Sequence, residues 1–386
     1  MALALHRGTR PASRLAVRRL ALTDFRGYAS LRLETDPRPV VLAGPNGAGK
    51  TNLLEAISLL APGRGLRRAR LSEIDRNGAG PWSVMARLEA RSGAVEIRTA
   101  HAREGERERR SVAIDGSDAD TQAALVETVG VVWLTPAMDR LFQEGAGERR
   151  RFLDRLVLSS DPCHAAQLAR YAHVLRQRAK LLRAGRFDPS WLGGLERQAA
   201  AAGVAIAAAR RQTVRALSAA RIEPPEGFPT AELALAGPIE DWLAELPALE
   251  VEERFAAALA GCRRQDAETG ITAVGPHRSD LVVHERASGR PAGACSTGQQ
   301  KALLVSLVLA EARLRAALGE RQPILLLDEV AAHLDALRRG ALFEAVDALG
   351  AQAWLTGTDA AIFAALGARA QFFLVQNATL QPYGPD

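Results

Sequence analysis

Residues 44–51 read Gly44-Pro45-Asn46-Gly47-Ala48-Gly49-Lys50-Thr51 and follow the short apolar run Val40–Ala43. A glycine-rich turn between a strand and a helix lets backbone N–H groups converge on phosphate oxygens, and the helix N-terminus adds its positive dipole. Lys50 supplies a compact positive charge for the outer phosphates, and Thr51 offers a hydroxyl to Mg²⁺. The stretch therefore predicts a P-loop that binds a nucleoside triphosphate together with Mg²⁺.

Lysine is rare in this chain. Among the 50 basic residues only Lys50, Lys180 and Lys301 are lysines. The planar guanidinium of arginine cannot replace the compact ammonium in a site shaped for a P-loop lysine. A lysine kept in this loop, in a chain that otherwise uses arginine, favours a working phosphate site over a chance glycine-rich turn.

Two further motifs lie towards the C-terminus. Ser296-Thr297-Gly298-Gln299-Gln300-Lys301 opens a long amphipathic helix, and the later apolar run Ile324–Leu327 ends in Asp328 and Glu329. A serine turn at a helix N-terminus is either a second anion site or an ordinary cap. Its position between a P-loop and an acidic strand end favours the anion site.

Two carboxylates at the end of a buried strand suit the hydrolysis of ATP bound with Mg²⁺. Asp328 is predicted to hold Mg²⁺ through water, and Glu329 to orient and deprotonate the attacking water. The predicted catalytic residues are Glu329, Lys50 and Asp328, and the predicted Mg²⁺ ligands are Thr51 and Asp328. The predicted nucleotide-binding set comprises residues 44–51, Ser296, Gly298, Gln299 and Asp335, the last in the loop just beyond the carboxylates.

The order of these motifs resembles that of ABC-type ATPase heads. The resemblance implies an α/β P-loop head with a mainly helical inserted lobe, and a serine motif that contacts the γ-phosphate held by a second subunit. We therefore expect ATP to close a head-to-tail homodimer with two shared sites. Because the helical sequence has no sustained heptads, no long coiled coil is predicted.

The chain of 386 residues changes character along its length. Strand-like alternation runs to Val131–Leu134, helical sequence with a proline-rich break follows, and strand–helix alternation then returns. We expect a disordered basic extension at 1–16, the first half of the head at 17–137, a helical lobe at 138–269 and the second half of the head at 270–386.

Composition indicates a cytoplasmic protein. No apolar run reaches the roughly 18 residues that a membrane span needs, and the three scattered cysteines suit a reducing compartment. Five arginines and no acid occur in the first 19 residues, which favours a plain basic extension over a transit peptide. The net charge of +6 is compatible with a polyanionic partner.

Within the ABC class the chain resembles the RecF family of bacterial recombinational repair ATPases. The supporting motifs are LALTDFRGY at 20–28, GRGLR at 63–67, RRRFLD at 149–154 and GPHRSDL at 275–281. The resemblance implies ATP-dependent dimerisation on single-stranded, gapped or duplex DNA and slow hydrolysis. It also implies cooperation with RecR and RecO in loading recombinase at gaps, replication restart and support of SOS induction.

Some positions depart from these family patterns. Thr358 stands before Asp359, where transporter-type heads carry a histidine, so the γ-phosphate sensor is unassigned. The usual lobe-linking glutamine is also unassigned, with Asp139 and Gln143 as candidates. Ser279 stands where the RecF family often has an acid.

A basic segment after the P-loop helix is the first candidate for DNA contact. It contains Arg64, Arg67, Arg68 and Arg70. We expect phosphate contact there, the alternative being a solvated loop, and residues 149–151 come next. His277 and Arg278 serve either the dimer interface or DNA, or only a local turn.

Two other functions stay open from the sequence. A transporter nucleotide-binding subunit would need a transmembrane partner and a much shorter insert. An SMC-type chromosome-associated head would need the heptads of a long coiled coil.

Overall fold

A computed structural model describes residues 15–90, 93–105, 107–119, 122, 124–185, 188–220, 222–317, 322–331 and 334–384. The chain forms two compact units. The first comprises Met1–Pro136, Pro225–Gly227 and Arg315–Asp386, and the second comprises Ala137–Pro224 and Phe228–Leu314. Most of the predicted basic extension, residues 1–14, lies outside the described residues.

Strands and helices alternate in blocks along the chain. The strands are β1 (Ala16–Phe25), β2 (Tyr28–Glu34), β3 (Val40–Ala43), β4 (Ser83–Ala90), β5 (Gly93–Glu104), β6 (Arg107–Ile114), β7 (Ser117–Asp118), β8 (Val131–Leu134), β9 (Ala231–Ala236), β10 (Asp280–Glu285), β11 (Ile324–Leu327), β12 (Ala353–Gly357), β13 (Gln371–Gln376) and β14 (Thr379–Tyr383). The helices are α1 (Lys50–Ser58), α2 (Leu71–Ile74), α3 (Ala124–Thr128), α4 (Ala146–Leu158), α5 (His164–Arg183), α6 (Pro189–Ala219), α7 (Pro238–Glu245), α8 (Ala248–Gly261), α9 (Arg263–Thr269), α10 (Thr297–Ala317) and α11 (Ala336–Leu349).

A mainly parallel sheet in the first unit has the strand order β14-β13-β3-β12-β11-β8. Strand β12 pairs in parallel with both β3 and β11. Strands β3 and β11 are buried along their whole length, as continuous apolar strands of a parallel sheet are when both faces are covered. Because the carboxyl ends of parallel strands meet at one edge, the P-loop after β3, the end of β12 and Asp328 after β11 lie together.

The other sheet of the first unit is antiparallel, in the order β2-β1-β4-β5-β6-β7. Its buried face carries Phe25 and Trp82, whose ring centroids lie 5.6 Å apart in an edge-to-face arrangement. Helix α1 contributes a buried apolar face to the same core, consisting of Leu53, Leu54 and Ile57. Strand β1 begins at Ala16, so the head starts one residue before the predicted boundary.

The second unit contains α4 to α9, most of α10 and the two-stranded sheet of β9 and β10. Small residues on α6 allow close packing: a Cβ on Gly203 would lie 2.7 Å from the Phe255 ring of α8. Among the described residues the longest helix is α6, with 31 residues, and it packs against α5 and α8. The described chain therefore has no long coiled coil, which confirms that prediction.

The structure divides the chain differently from the predicted lobes. Strand β9 forms inside the predicted proline-rich break and pairs with β10. Arg149 of α4 also donates two hydrogen bonds of 2.8 Å to the Asp280 carboxylate of β10. These contacts join β10 to the helical unit, which extends to Leu314. The Ser296 motif therefore belongs to the helical unit and not to the second half of the head, where it was expected.

Candidate nucleotide-binding site

The P-loop has glycine where no other residue fits. Gly44 has φ +151°, and a Cβ there would overlap the Val375 carbonyl oxygen. Gly49 has φ +111°, and a Cβ there would lie 2.7 Å from the Tyr28 hydroxyl, which donates a hydrogen bond to the Gly49 carbonyl. The close approach of neighbouring groups therefore requires glycine at these two positions of the loop, whose backbone N–H groups are predicted to bind phosphate. The exposed tip is Pro45, Asn46 and Gly47, and Ala48 is buried.

The Lys50 ammonium lies inside the curve of the loop. Its Nζ donates hydrogen bonds to the carbonyls of Gly44 (2.6 Å) and Pro45 (3.1 Å). It also lies 3.5 Å from Oε1 of Glu329, and the lysine side chain is only 5% exposed. The loop therefore places a buried positive charge next to the predicted general base, as a site for the outer phosphates requires.

Asp328 is held by two hydroxyl groups, one from the first turn of α1 and one from the end of β12. Thr51 Oγ1 donates to Oδ1 of Asp328 at 3.0 Å, and Thr356 Oγ1 donates to the same oxygen at 2.7 Å. A carboxylate beside a hydroxyl is the hard oxygen donor set that Mg²⁺ prefers. Thr51 and Asp328 therefore fit the predicted Mg²⁺ site.

Glu329 occupies a backbone conformation that is unusual for its residue type. Its φ is +52°, a left-handed value that costs a residue other than glycine on the order of 1–3 kcal/mol. The Glu329 N–H donates to Thr356 Oγ1 at 2.9 Å, which stabilises this turn. Sequence reasoning missed Thr356, although a lone hydroxyl in the buried strand β12 was a signal for it.

The Ser296 motif forms a capping box in the second unit. The Ser296 N–H donates to Oε1 of Gln299 at 3.0 Å, and the Gln299 N–H donates to Ser296 Oγ at 3.3 Å. Such reciprocal bonds satisfy two free donors at the helix start. Ser296 is exposed and Gly298 is half-buried. Within the chain, Ser296 therefore acts as a helix cap. Contact with the γ-phosphate of a second subunit stays a prediction.

Other predicted positions have identifiable partners. Lys301 Nζ donates to Asp139 Oδ2 at 3.2 Å, so this candidate lobe-linking residue is engaged by the Ser296 motif helix. Asp335 caps α11 by accepting a hydrogen bond of 2.8 Å from the Arg338 N–H. Thr358 is exposed beyond the end of β12, and the γ-phosphate sensor is still unassigned.

Arg67 of the basic segment binds the P-loop helix. It donates to Asn52 at 2.9 Å and to Glu55 at 3.1 Å. Glu55 is 1% exposed and also accepts two hydrogen bonds from Arg26, at 2.7 and 2.9 Å. Removing either arginine would leave a buried carboxylate short of partners. Arg67 therefore has a structural role that the sequence did not indicate.

The other arginines of this segment are more accessible. Arg64 is exposed and donates to the Ala69 carbonyl at 3.3 Å. The Arg70 side chain is 78% exposed, with Nε 4.0 Å from Glu73. Arg68 is exposed and has φ +57°. Arg64 and Arg70 thus make fewer contacts within the fold than Arg67 does.

Arg110 of β6 closes the carboxyl end of the P-loop helix. It donates to the carbonyls of Leu59 and Gly63, the latter at 2.8 Å, and to Thr99 Oγ1 at 2.7 Å. Burial lowers the pKa of this guanidinium to about 10. A cation at a helix C-terminus satisfies carbonyls that lack helical partners. The antiparallel sheet therefore holds the far end of α1.

His277 is satisfied locally. Its Nε2 donates to the Thr272 carbonyl at 2.9 Å, so Nδ1 accepts from the Tyr171 hydroxyl at 2.8 Å. Burial lowers the pKa of His277. Arg150 similarly donates to the Ser279 carbonyl at 2.6 Å. These contacts favour the local-turn alternative for His277 and a structural role for Arg150.

Comparisons with known proteins support the resemblance to the RecF family. Residues 16–380 match the family model described as "RecF/RecN/SMC N terminal domain". The chain is 51% identical over 367 residues to "DNA replication and repair protein RecF" of Rhizobium etli (strain CIAT 652), covering 94% of this chain and 98% of that relative. It is 50% identical over 373 residues to the protein of the same name from Allorhizobium ampelinum, covering 96% and 99%.

Solved structures agree in fold. The chain is similar to "the recombination mediator protein RecF-ATPrS in RecFOR pathway", with a TM-score of 0.81, 22% identity and coverage of 97% of this chain and 99% of that one. An Smc head domain from Pyrococcus furiosus gives a TM-score of 0.52 at 16% identity, covering 96% of each chain. None of the helices in the described ranges is both long and apolar enough to span a membrane. With half of its residues identical over nearly its whole length, the chain belongs to the RecF family.

Proposed function

We propose that this protein is a DNA-binding ATPase of recombinational repair and replication restart, which uses slow ATP hydrolysis as a switch. One observation carries the proposal: the ends of β3, β11 and β12 bring Lys50 within 3.5 Å of Glu329 and two hydroxyls onto Asp328. A P-loop lysine, a Mg²⁺-type carboxylate and an adjacent base are the parts that phosphoryl transfer to water requires.

Each side chain has a distinct task in the proposed reaction. The Lys50 ammonium and the loop N–H groups bind the outer phosphates of ATP. Thr51 and Asp328 would hold Mg²⁺, which neutralises charge on the β- and γ-phosphate oxygens when it is bound. Glu329 accepts the proton of the attacking water at its carboxylate. Thr356 orients both acids, because its one hydroxyl bonds to the Asp328 carboxylate and the Glu329 N–H.

The proposed switch is a homodimer closed by ATP. In this arrangement the Ser296 turn of one subunit binds the γ-phosphate held by the P-loop of the other. The exposed position of Ser296 at the start of a helix with 21 residues supports this role, because free N–H groups there attract anions. Binding would require the Ser296 hydroxyl to exchange its hydrogen bond with Gln299 for a phosphate oxygen.

The proposed partners are single-stranded, gapped or duplex DNA and mediator proteins of the RecR and RecO type. Relatives at 50% identity carry the name "DNA replication and repair protein RecF", and a protein of the same fold is described as a recombination mediator in the RecFOR pathway. We propose that this chain likewise helps to load recombinase at gaps in the cytoplasm and supports SOS induction. The relatives give no support to the transporter or SMC-head alternatives.

A gel-shift assay on gapped duplex DNA, with and without ATP, tests the proposal. Wild-type protein should shift the DNA more strongly when ATP and Mg²⁺ are present. The shift produced by Lys50→Ala should be the same with and without them. Arg176→Gln serves as a control, because Arg176 is exposed on the second unit, away from the motifs. A wild-type protein that binds ATP but no form of DNA would contradict the proposal and favour the transporter alternative.

A further inference from the structure

The outward face of the antiparallel sheet forms a groove with a volume of about 910 Å³. Its floor consists of two rows of mostly short side chains from neighbouring strands. The strand register sets these rows. One row contains Ala21, Met85 and Ala113, and the next contains Ser30, Thr23, Ser83 and Ser111. Small residues on the exposed face of a curved sheet leave space that long side chains would otherwise fill.

Two arginines lie in the alanine row. Arg32 of β2 pairs with Ala21 of β1, Ala21 pairs with Met85 of β4, and Met85 pairs with Arg98 of β5. Three strand spacings therefore separate the two arginines, which is roughly 14 Å. Both residues are exposed, and neither side chain makes a hydrogen bond or ion pair with another residue of the described chain.

The other charged residues that line the groove are Arg19, Glu34, Glu96 and Asp118. At one end Arg19 donates to Glu34 at 2.8 Å, and Arg87 lies opposite Glu96 in the register. Asp118 of the short strand β7 pairs with Ala113, so it lies in the alanine row itself, two strands beyond Arg98. The alanine row therefore carries two guanidinium groups without partners among the described residues, next to a row of hydroxyls.

We propose that this groove is a second DNA contact, which binds the phosphate backbone of duplex DNA. Arginine, serine and threonine are the side chains that most often contact phosphate. Among the described residues that line the groove, none is an aromatic on which single-stranded bases would stack. The separation of Arg32 and Arg98 is comparable with the roughly 12 Å width of the major groove, so the two arginines can reach phosphates on its two walls.

The inference rests on the proposed DNA binding and adds a surface that no motif indicates. This surface lies on the outward face of the sheet, whereas the motifs cluster at the end of the parallel strands. Its contacts are to phosphate, so they provide affinity without sequence preference. We expect the groove to contribute equally on duplexes of different sequence.

The test is a titration of fluorescein-labelled duplex DNA by anisotropy over a range of KCl concentrations. The variant is Arg32→Gln with Arg98→Gln, and the matched control is Arg176→Gln with Arg264→Gln, an equal loss of charge from exposed positions of the second unit. The double groove variant should flatten the slope of log affinity against log salt by about 1.8, which is about 0.9 for each lost phosphate contact. An unchanged slope in the groove variant would overturn the inference, while DNA binding by the wild type would leave the proposed function intact.

Substitutions of opposite charge at Ala21, on the floor of the groove, distinguish an electrostatic effect on DNA binding from an effect of misfolding. Ala21→Glu should weaken binding and Ala21→Lys should tighten it, since both side chains extend from the same exposed face. All variants should bind a fluorescent ATP analogue as the wild type does, which checks the fold of the first unit. Equal effects of the Glu and Lys substitutions on DNA affinity would overturn the inference. A wild type that binds single-stranded but not duplex DNA would overturn this inference alone, whereas a wild type that binds no form of DNA would contradict the proposed function as well.

Discussion

Thr356 donates a hydrogen bond of 2.7 Å to Asp328, and the same threonine oxygen accepts the N–H of the next residue, Glu329, at 2.9 Å. The Thr356 hydroxyl, on the strand between β3 and β11, thus bonds to both acids of the proposed hydrolytic site. Thr356 is 1% exposed, so water cannot easily replace these bonds. The position of the base therefore depends on a residue that takes no part in proton transfer.

Replacing Thr356 with valine should uncouple the two acids. The side chain keeps its shape, but Asp328 and the Glu329 N–H each lose a partner, which should cost about 1–3 kcal/mol of the free energy of unfolding. ATP turnover should fall more than ATP affinity, because Glu329 is no longer held in its left-handed conformation. Urea denaturation and steady-state ATPase assays measure the two effects, and Thr356→Ser should restore both. A valine variant with normal turnover would show that Thr356 is only a packing residue.

Lys50→Ala should reduce ATP affinity by about tenfold or more, since a charged hydrogen bond to phosphate is worth about 1.5–3 kcal/mol. Lys50→Arg should retain some binding but little turnover, because the charge survives and the geometry does not. Titration with a fluorescent nucleotide measures affinity. Unchanged affinity in the alanine variant would contradict the P-loop assignment.

Glu329→Gln should bind ATP and Mg²⁺ normally but hydrolyse ATP at least about 100-fold more slowly, because the base is lost and the shape is kept. The variant should accumulate as an ATP-bound dimer in size-exclusion chromatography with light scattering. Normal turnover would assign the base elsewhere, with Asp335 as the next candidate. The candidate after Asp335 is His333, which lies outside the described residues.

Ser296→Arg should leave nucleotide binding by the monomer intact and abolish the ATP-dependent dimer, since a bulky cation enters the position of the γ-phosphate. Ser190→Arg is a matched control, because Ser190 is another exposed serine in the first turn of a helix of the second unit. Light scattering with ATP separates the variants. Dimerisation of Ser296→Arg would mean that the capping box with Gln299 is the whole role of this turn.

Neutralising Arg64 and Arg70 together should weaken DNA binding and flatten the salt slope by about 1.8 on duplex DNA. These two are preferred to Arg67, whose substitution would also leave buried Glu55 with one partner fewer. The control is again Arg176→Gln with Arg264→Gln. No change in slope would remove this segment from the interface and turn attention to Arg151. This arginine pairs with Glu148 of its own helix, whereas Arg149 and Arg150 bond to Asp280 and Ser279 of another segment.

The local motifs were predictable because their physical requirements are local. A P-loop needs glycine at positive φ beside a lysine, and Gly44, Gly49 and Lys50 have these properties in the structure. A fully apolar run that ends in Asp328 and Glu329 is a buried strand with acids at its end, whatever lies around it. The family followed from such motifs, and the relatives at 50% identity confirm it.

The remaining features depend on partners that are distant in sequence. Thr356 reaches Asp328 because β12 lies between β3 and β11, an order that no single strand encodes. Arg67 pairs with Glu55 because the segment folds back over α1, and its predicted contact with DNA stays a prediction. The Ser296 motif lies in the second unit, which runs to Leu314 and also contains the pair of β9 and β10. Sequence thus determined the residues that have functional chemistry, whereas strand order and pairing decided which of them meet, since long-range contacts are fixed by packing and not by local pattern.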